Sequence, residues 1–187
     1  GKIFGWHAKY ASANQGYFVP AAGVDVKLPG VVKLPTGDRI LEEEALSPRG
    51  LNVIKKKSGA FVIWGMRTLS ATTEWQFLAQ RLQMSHYAHT LLANYDWVIF
   101  SLNDPKLWSA LKIQLELWLS AEWQPKRALR GDKPSDAFSV KVDSENNTEA
   151  TIEAGDVNAE ISVRIANAVE RVKFGIGKMG VTEGASA

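Results

Sequence analysis

Leu51-Asn52-Val53-Ile54-Lys55-Lys56-Lys57-Ser58-Gly59-Ala60-Phe61-Val62-Ile63-Trp64 is the stretch on which the fold turns. Residues 51–55 and 60–64 are runs of β-branched and aromatic side chains, and the lysine-rich connection between them ends in Ser-Gly. That combination predicts a β-hairpin. Downstream, Thr73-Glu74-Trp75-Gln76 matches a capping box and predicts a helix from Thr73 to about Asn94. On its wheel Trp75, Leu78, Leu82, His86 and His89 share one side, with Phe77, Met84, Ala88 and Leu91 nearly opposite. Two apolar stripes predict a helix covered on two sides. Asp96-Trp97-Val98-Ile99-Phe100-Ser101-Leu102 is almost continuously apolar and of strand length, which predicts a central strand buried on both faces.

Asp104 followed by Pro105 predicts a helix start, because proline in the first helical position sacrifices no hydrogen bond. Leu107, Trp108, Leu111, Leu115, Trp118 and Leu119 then recur at helical spacing as far as Trp123. Residues 137–142 read as another strand. Near the end, Ile161, Val163 and Ile165 alternate with Glu160, Ser162 and Arg164, and Val172, Phe174 and Ile176 alternate with Arg171, Lys173 and Gly175. These predict two amphipathic strands. Upstream, prolines and glycines break residues 1–49 into short pieces, with a short helix predicted at 41–46. The expected fold is α/β with α+β character. A mixed β-sheet is flanked by helices, with an irregular wrapping segment at 1–49, a core at 50–178 and a flexible tail at 179–187.

The 187 residues carry 22 Lys+Arg against 20 Asp+Glu, a net charge of +2, which argues against nucleic acid as a partner. There is no cysteine, so disulfides, thiolate metal sites and cysteine nucleophiles are all absent. No stretch approaches the roughly 20 apolar residues of a membrane helix, so no direct membrane insertion is expected and the chain reads as soluble. It begins abruptly without methionine and reads as a processed chain or a piece of a longer one.

Little in the sequence points to catalysis. Gly175-Ile176-Gly177-Lys178-Met179-Gly180 has the spacing of a dinucleotide loop but no following helix, so it reads as glycines releasing a strand into the tail. His86 and His89, with His7 as a third ligand, form a weak metal set lacking an acidic partner at helical spacing; packed or interface histidines are the stronger reading. No nucleophile elbow is present. No cofactor, metal or catalytic residue is expected. Lys126, Arg127 and Arg130 form a basic cluster, whereas Glu149, Glu153 and Asp156 lie in an acidic stretch without an intervening cation. Opposite patches on one chain suit association between copies, and equally suit solvated loops of either sign.

Taken in order, Leu51-Asn52-Val53-Ile54, Ile63-Trp64-Gly65-Met66-Arg67-Thr68-Leu69-Ser70, Asn103-Asp104-Pro105 with Trp108, Ala137-Phe138-Ser139-Val140-Lys141-Val142-Asp143 and Asn146-Asn147-Thr148 form a succession. It resembles the C-terminal core of contractile tail sheath proteins, from myophage tails and related contractile injection systems. Met66 stands where that family usually has alanine. The resemblance implies a structural subunit that polymerises helically around a tail tube and contracts to drive the tube through a target envelope. Its partners would be other sheath subunits and the tail tube protein, in a virion tail or a cytoplasmic injection particle.

On that reading Ile161, Val163, Ile165, Val172, Phe174 and Ile176 are the candidates for adding strands to a neighbour's sheet. Lys126, Arg127 and Arg130 would face Glu149, Glu153 and Asp156 of another copy. The alternatives are a non-contracting tail or baseplate component, and an α/β enzyme domain binding a nucleotide or metal.

Overall fold

The computed structural model describes residues 2–13, 18–34, 45–124 and 126–167. Its elements are helices and small antiparallel sheets, a mixed α/β architecture. The predicted hairpin is β1 (Val53–Lys57) and β2 (Ala60–Trp64), in register Val53↔Trp64 to Lys57↔Ala60. Lysines are tolerated in β1 partly because Lys55 Nζ sits 3.7 Å from the centre of the Trp64 ring.

Asn52, just ahead of β1, hydrogen-bonds both backbone groups of Arg67: its Oδ1 accepts from the Arg67 N–H at 2.6 Å and its Nδ2 donates to the Arg67 carbonyl at 2.8 Å. Two glycines make this approach feasible. A Cβ on Gly65 (φ +127°) would meet Asn52 Oδ1 at 3.0 Å, and one on Gly50 (φ +76°) would meet the Thr68 carbonyl oxygen at 2.4 Å.

The segment ahead of the hairpin departs from the irregular arm expected at 1–49. Lys2–Ala13 forms helix α1. Residues 23–28 run along the outer side of β2, with Leu28 N–H donating to Phe61 and Ile63 N–H to Val26. Val26, Leu28 and Ile63 form a small core, with Trp6 packed against it. Met66 ties this segment down, since its sulfur accepts from the Ala21 N–H. Of the helix predicted at 41–46, only Ala45 and Leu46 lie among the described residues; they are helical and lead into a 3-10 turn at Ser47–Arg49.

Helix α2 spans Leu78–Asn94, and the capping box expected at Thr73 is not formed. Thr73–Trp75 is a 3-10 turn without a side-chain cap. The next residues are instead held by the strand-like segment after the hairpin: Thr68 N–H donates to Gln76 and Leu78 N–H to Met66. Those long-range bonds keep Phe77 extended and delay the helix. The buried face of α2 is Ala79, Gln83 and Tyr87, flanked by Met84 and Leu91. The stripe predicted through Leu82, His86 and His89 is therefore not the core face, and both histidines are exposed.

The central strand predicted at 96–102 is absent. Asp96–Val98 is a 3-10 turn, and Val98, Ile99 and Ser101 each donate to the carbonyl three residues back. Successive local turns consume the backbone groups that a sheet ladder needs. Val98 packs on the core, while Trp97, Ile99, Phe100 and Leu102 are exposed.

Helix α3 (Pro105–Trp123) starts as predicted: Asp104 Oδ1 accepts from Leu107 N–H at 2.8 Å. Its inner face, Leu107, Trp108, Leu111, Leu115 and Leu119, is the centre of the main core. A short helix α4 (Pro134–Ala137) leads into β3 (Phe138–Lys141), and helix α5 (Glu149–Glu153) precedes β4 (Glu160–Val163). Among the described residues both strand pairs are antiparallel and two-stranded. Asn147 is buried and bonds both backbone groups of Asn158, stapling the loop after β3 to the approach to β4. Among the described residues no helix is long and apolar enough to cross a membrane.

Candidate functional site

Several of the candidate interface residues lie on or beside β4. Its alternation places Ile161 and Val163, and then Ile165, on the main core, with Glu160, Ser162 and Arg164 outward. The ladder pairs Phe138↔Val163, Ser139↔Ser162, Val140↔Ile161 and Lys141↔Glu160. Beyond it, Arg164 N–H donates to the Ala137 carbonyl at 2.8 Å, and Arg164 carbonyl and Ala166 N–H bond Arg130 and Ala128. In an antiparallel pair the backbone groups of alternate residues point to the same side. Arg164 bonds inward, so the N–H and C=O of Ile161 and Val163 point away from β3 to the outer edge of the strand. Ile161, Val163 and Ile165 thus bury their side chains at home, while the first two turn their backbone groups outward. Val172, Phe174 and Ile176, and the glycine-rich 175–180 motif, lie outside the described residues.

The basic cluster divides. Lys126 reaches back to Glu122, with Nζ 2.5 Å from Oε1. The Glu122 carboxylate is buried, and its other oxygen accepts from the Tyr87 hydroxyl at 3.1 Å. Gln83 Nε2 donates to the same hydroxyl at 2.6 Å and to the Ala128 carbonyl at 3.2 Å. Burial, with Glu122 adding to it, holds the Tyr87 phenol well above its ordinary pKa, so it stays a donor. Lys126 therefore neutralises a buried carboxylate that itself joins the end of α3 to α2 through Tyr87.

Arg127, at φ +58°, and Arg130 are exposed. Strand pairing adds a residue the sequence did not single out: Leu129 bridges Ile165, so Arg130 stands opposite Arg164 on the exposed face. The alternation at 160–165 was the signal, but only the register with 129 reveals the pair. Neither arginine has an ion-pair partner among the described residues, nor do Glu149, Glu153 and Asp156, which are all exposed on or just after α5.

The histidines are not gathered. His86 and His89 are exposed on α2, while His7 lies on α1 with Nε2 enclosed and without a hydrogen-bond partner among the described residues. Among the described residues no group of three His, Asp or Glu is placed to hold a metal. A concavity of about 200 Å³ lies between Pro48-Arg49-Gly50 and residues 67–71 and holds no nucleophile with a base beside it.

No family model and no curated protein matches the sequence. Solved structures do match the fold. The helical sheath of the anti-feeding prophage in its contracted state aligns with a TM-score of 0.81 at 21% identity, over 91% of this chain and 48% of its own. The sheath complex of the extracellular contractile injection system PVC, also contracted, aligns with a TM-score of 0.77 at 19% identity, over 90% and 48%. A chain of the anti-feeding prophage baseplate gives 0.80 at 21% identity, over 93% and 48%. This chain thus spans about half the length of the chains it matches, and over that span its fold is the one found in sheath and baseplate chains of contractile injection systems.

Proposed function

We propose that this chain is a structural subunit of a contractile sheath, acting by assembly rather than through a catalytic centre. The observation that carries the reading is the fold shared with contracted sheath chains over nine-tenths of the sequence. The outward backbone edge of β4, which has no strand partner among the described residues, supports it, because an unpaired strand edge is a template for a strand from another chain. Copies linked in this way form a helical lattice around a tube. Contraction then trades one set of contacts between copies for another. A difference of a few kcal/mol per subunit, multiplied over many copies, drives a cooperative change. The partners are further copies of the chain and the tube protein, within a phage tail or an injection particle.

The test is concentration-dependent self-association, measured by sedimentation and negative-stain microscopy. Val163→Pro removes an N–H that points outward, not one in the ladder with β3, whereas Val163→Ala loses side-chain packing but keeps the N–H. Association is expected to weaken by about tenfold for the proline variant relative to the alanine variant, the worth of roughly one net hydrogen bond. Equal association of the two variants removes the edge from the interface, and a wild-type chain that stays monomeric at high concentration overturns the self-assembling subunit. The baseplate match favours a second reading, a non-contracting ring component. Closed rings in place of helical tubes select it.

A further inference from the structure

The segment 96–102 is the most anomalous surface of the molecule. Its composition is that of a buried strand, yet Trp97, Ile99, Phe100 and Leu102 are exposed, Phe100 completely. Phe100 also has φ +66°, a left-handed conformation that is a real outlier for a bulky side chain. The fold holds an aromatic ring in water at the cost of backbone strain, and strained residues of this kind cluster at ligand clamps and switch regions. The exposed apolar area of these four residues is on the order of 600 Å², beyond a scattered surface residue and approaching the ~800 Å² per partner of a specific interface.

A second exposed apolar surface lies on α3. Opposite its core face, Lys106, Ile113 and Leu117 fall in one row, and Ile113 and Leu117 are more than half exposed. The groove between residues four apart on a helix accepts a protruding side chain of another element. The charges correspond as well. Asp96 flanks the loop and Lys106 begins the helix row, both exposed and neither with an ion-pair partner among the described residues.

We propose that the Trp97–Leu102 loop of one copy docks on the outer face of α3, at Ile113 and Leu117, of a second copy. The proposal rests on the reading of the chain as a self-assembling subunit. The two patches differ, so the contact is heterologous: each copy offers a knob to one neighbour and a groove to another, and the series continues as an open helix unless it closes into a ring.

The chain has no cysteine, so introduced thiols report contacts unambiguously. Phe100→Cys and Leu117→Cys variants, both at exposed positions, are mixed and treated with a short bis-maleimide. The mixture is expected to give a covalent dimer at least about tenfold more abundant than either variant alone, and the double variant a ladder of multimers. Asp96→Lys is expected to weaken the cross-link and addition of Lys106→Glu to restore it. A dimer from Phe100→Cys alone, meaning loop against loop, overturns the proposal. So does cross-linking of Phe100→Cys only to a different protein of the assembly, such as the tube. Assembly seen by sedimentation with no cross-link overturns the docking and leaves the subunit reading intact; absence of both overturns the two together.

Discussion

At the scale of single residues, the chain's recognisable motifs do backbone work. Asn52 bonds the two peptide groups of Arg67, Gly50 and Gly65 clear the space, and Asn103 accepts from the Trp108 indole at 2.8 Å while donating to the Asp156 carbonyl at 2.9 Å. Met66, the departure from the sheath-like motif, has its own partner in the Ala21 N–H. His7 is the residue with a pH consequence. Burial holds its imidazole below the ordinary 6.5, so the folded chain keeps it neutral when the unfolded chain has begun to bind a proton. The unfolded state then binds more protons, and stability rises with pH through this window and falls as pH drops below about 6.5. The thermal unfolding temperature of the wild type is expected to fall between about pH 7.5 and pH 5.5, and that of His7→Gln to fall less. Parallel curves for the two proteins would clear His7 of that role.

At the scale of elements, what was legible is what local chemistry decides. The hairpin and α3 are built from neighbours in the chain: β-branched runs around Ser58-Gly59, and Asp104-Pro105 ahead of an apolar helical row. The start of α2 was not legible, because Gln76 and Leu78 bond residues 68 and 66 across a fold that no local pattern announces. The loop at 96–102 misled for a different reason. An apolar run states that something covers it, not whether the cover lies in the same chain. The cap of α3 is the most local of these features and the cleanest to test. Asp104→Ala removes the acceptor for Leu107 N–H and is expected to cost about 1 kcal/mol, while Asp104→Asn, which keeps an acceptor, costs a few tenths. Urea unfolding should show the midpoint fall for alanine at an unchanged slope. Equal midpoints for the alanine and asparagine variants would mean that the helix start is held by Pro105 and core packing instead.

At the scale of the whole molecule, charge shows how a sequence reading is refined by register. Lys126, Arg127 and Arg130 looked like one patch, but Lys126 is spent on the buried Glu122 carboxylate, and its place at the surface is taken by Arg164, 34 positions beyond Arg130 and opposite it. Two like charges opposite each other across a strand pair are mutually destabilising within the monomer. An acidic partner would relieve them, and α5 carries Glu149 and Glu153, with Asp156 just after it, none paired among the described residues. If α5 of one copy meets Arg130 and Arg164 of another, the attraction acts across the interface and is screened by salt, with a Debye length of about 10 Å at 0.1 M. The double reversal Arg130→Glu, Arg164→Glu is expected to weaken self-association by about tenfold or more at low salt, and by much less at about 1 M salt. Mixing that variant with Glu149→Arg, Glu153→Arg should restore association, since each surface then meets its opposite. Lys126→Met should behave differently: it leaves the Glu122 carboxylate buried and unpaired, and so lowers the unfolding temperature without changing the salt dependence of assembly. A reversal that leaves sedimentation unchanged at every salt concentration removes the arginine pair from the lattice, and the proposed contacts between copies then reduce to the β4 edge and the apolar loop.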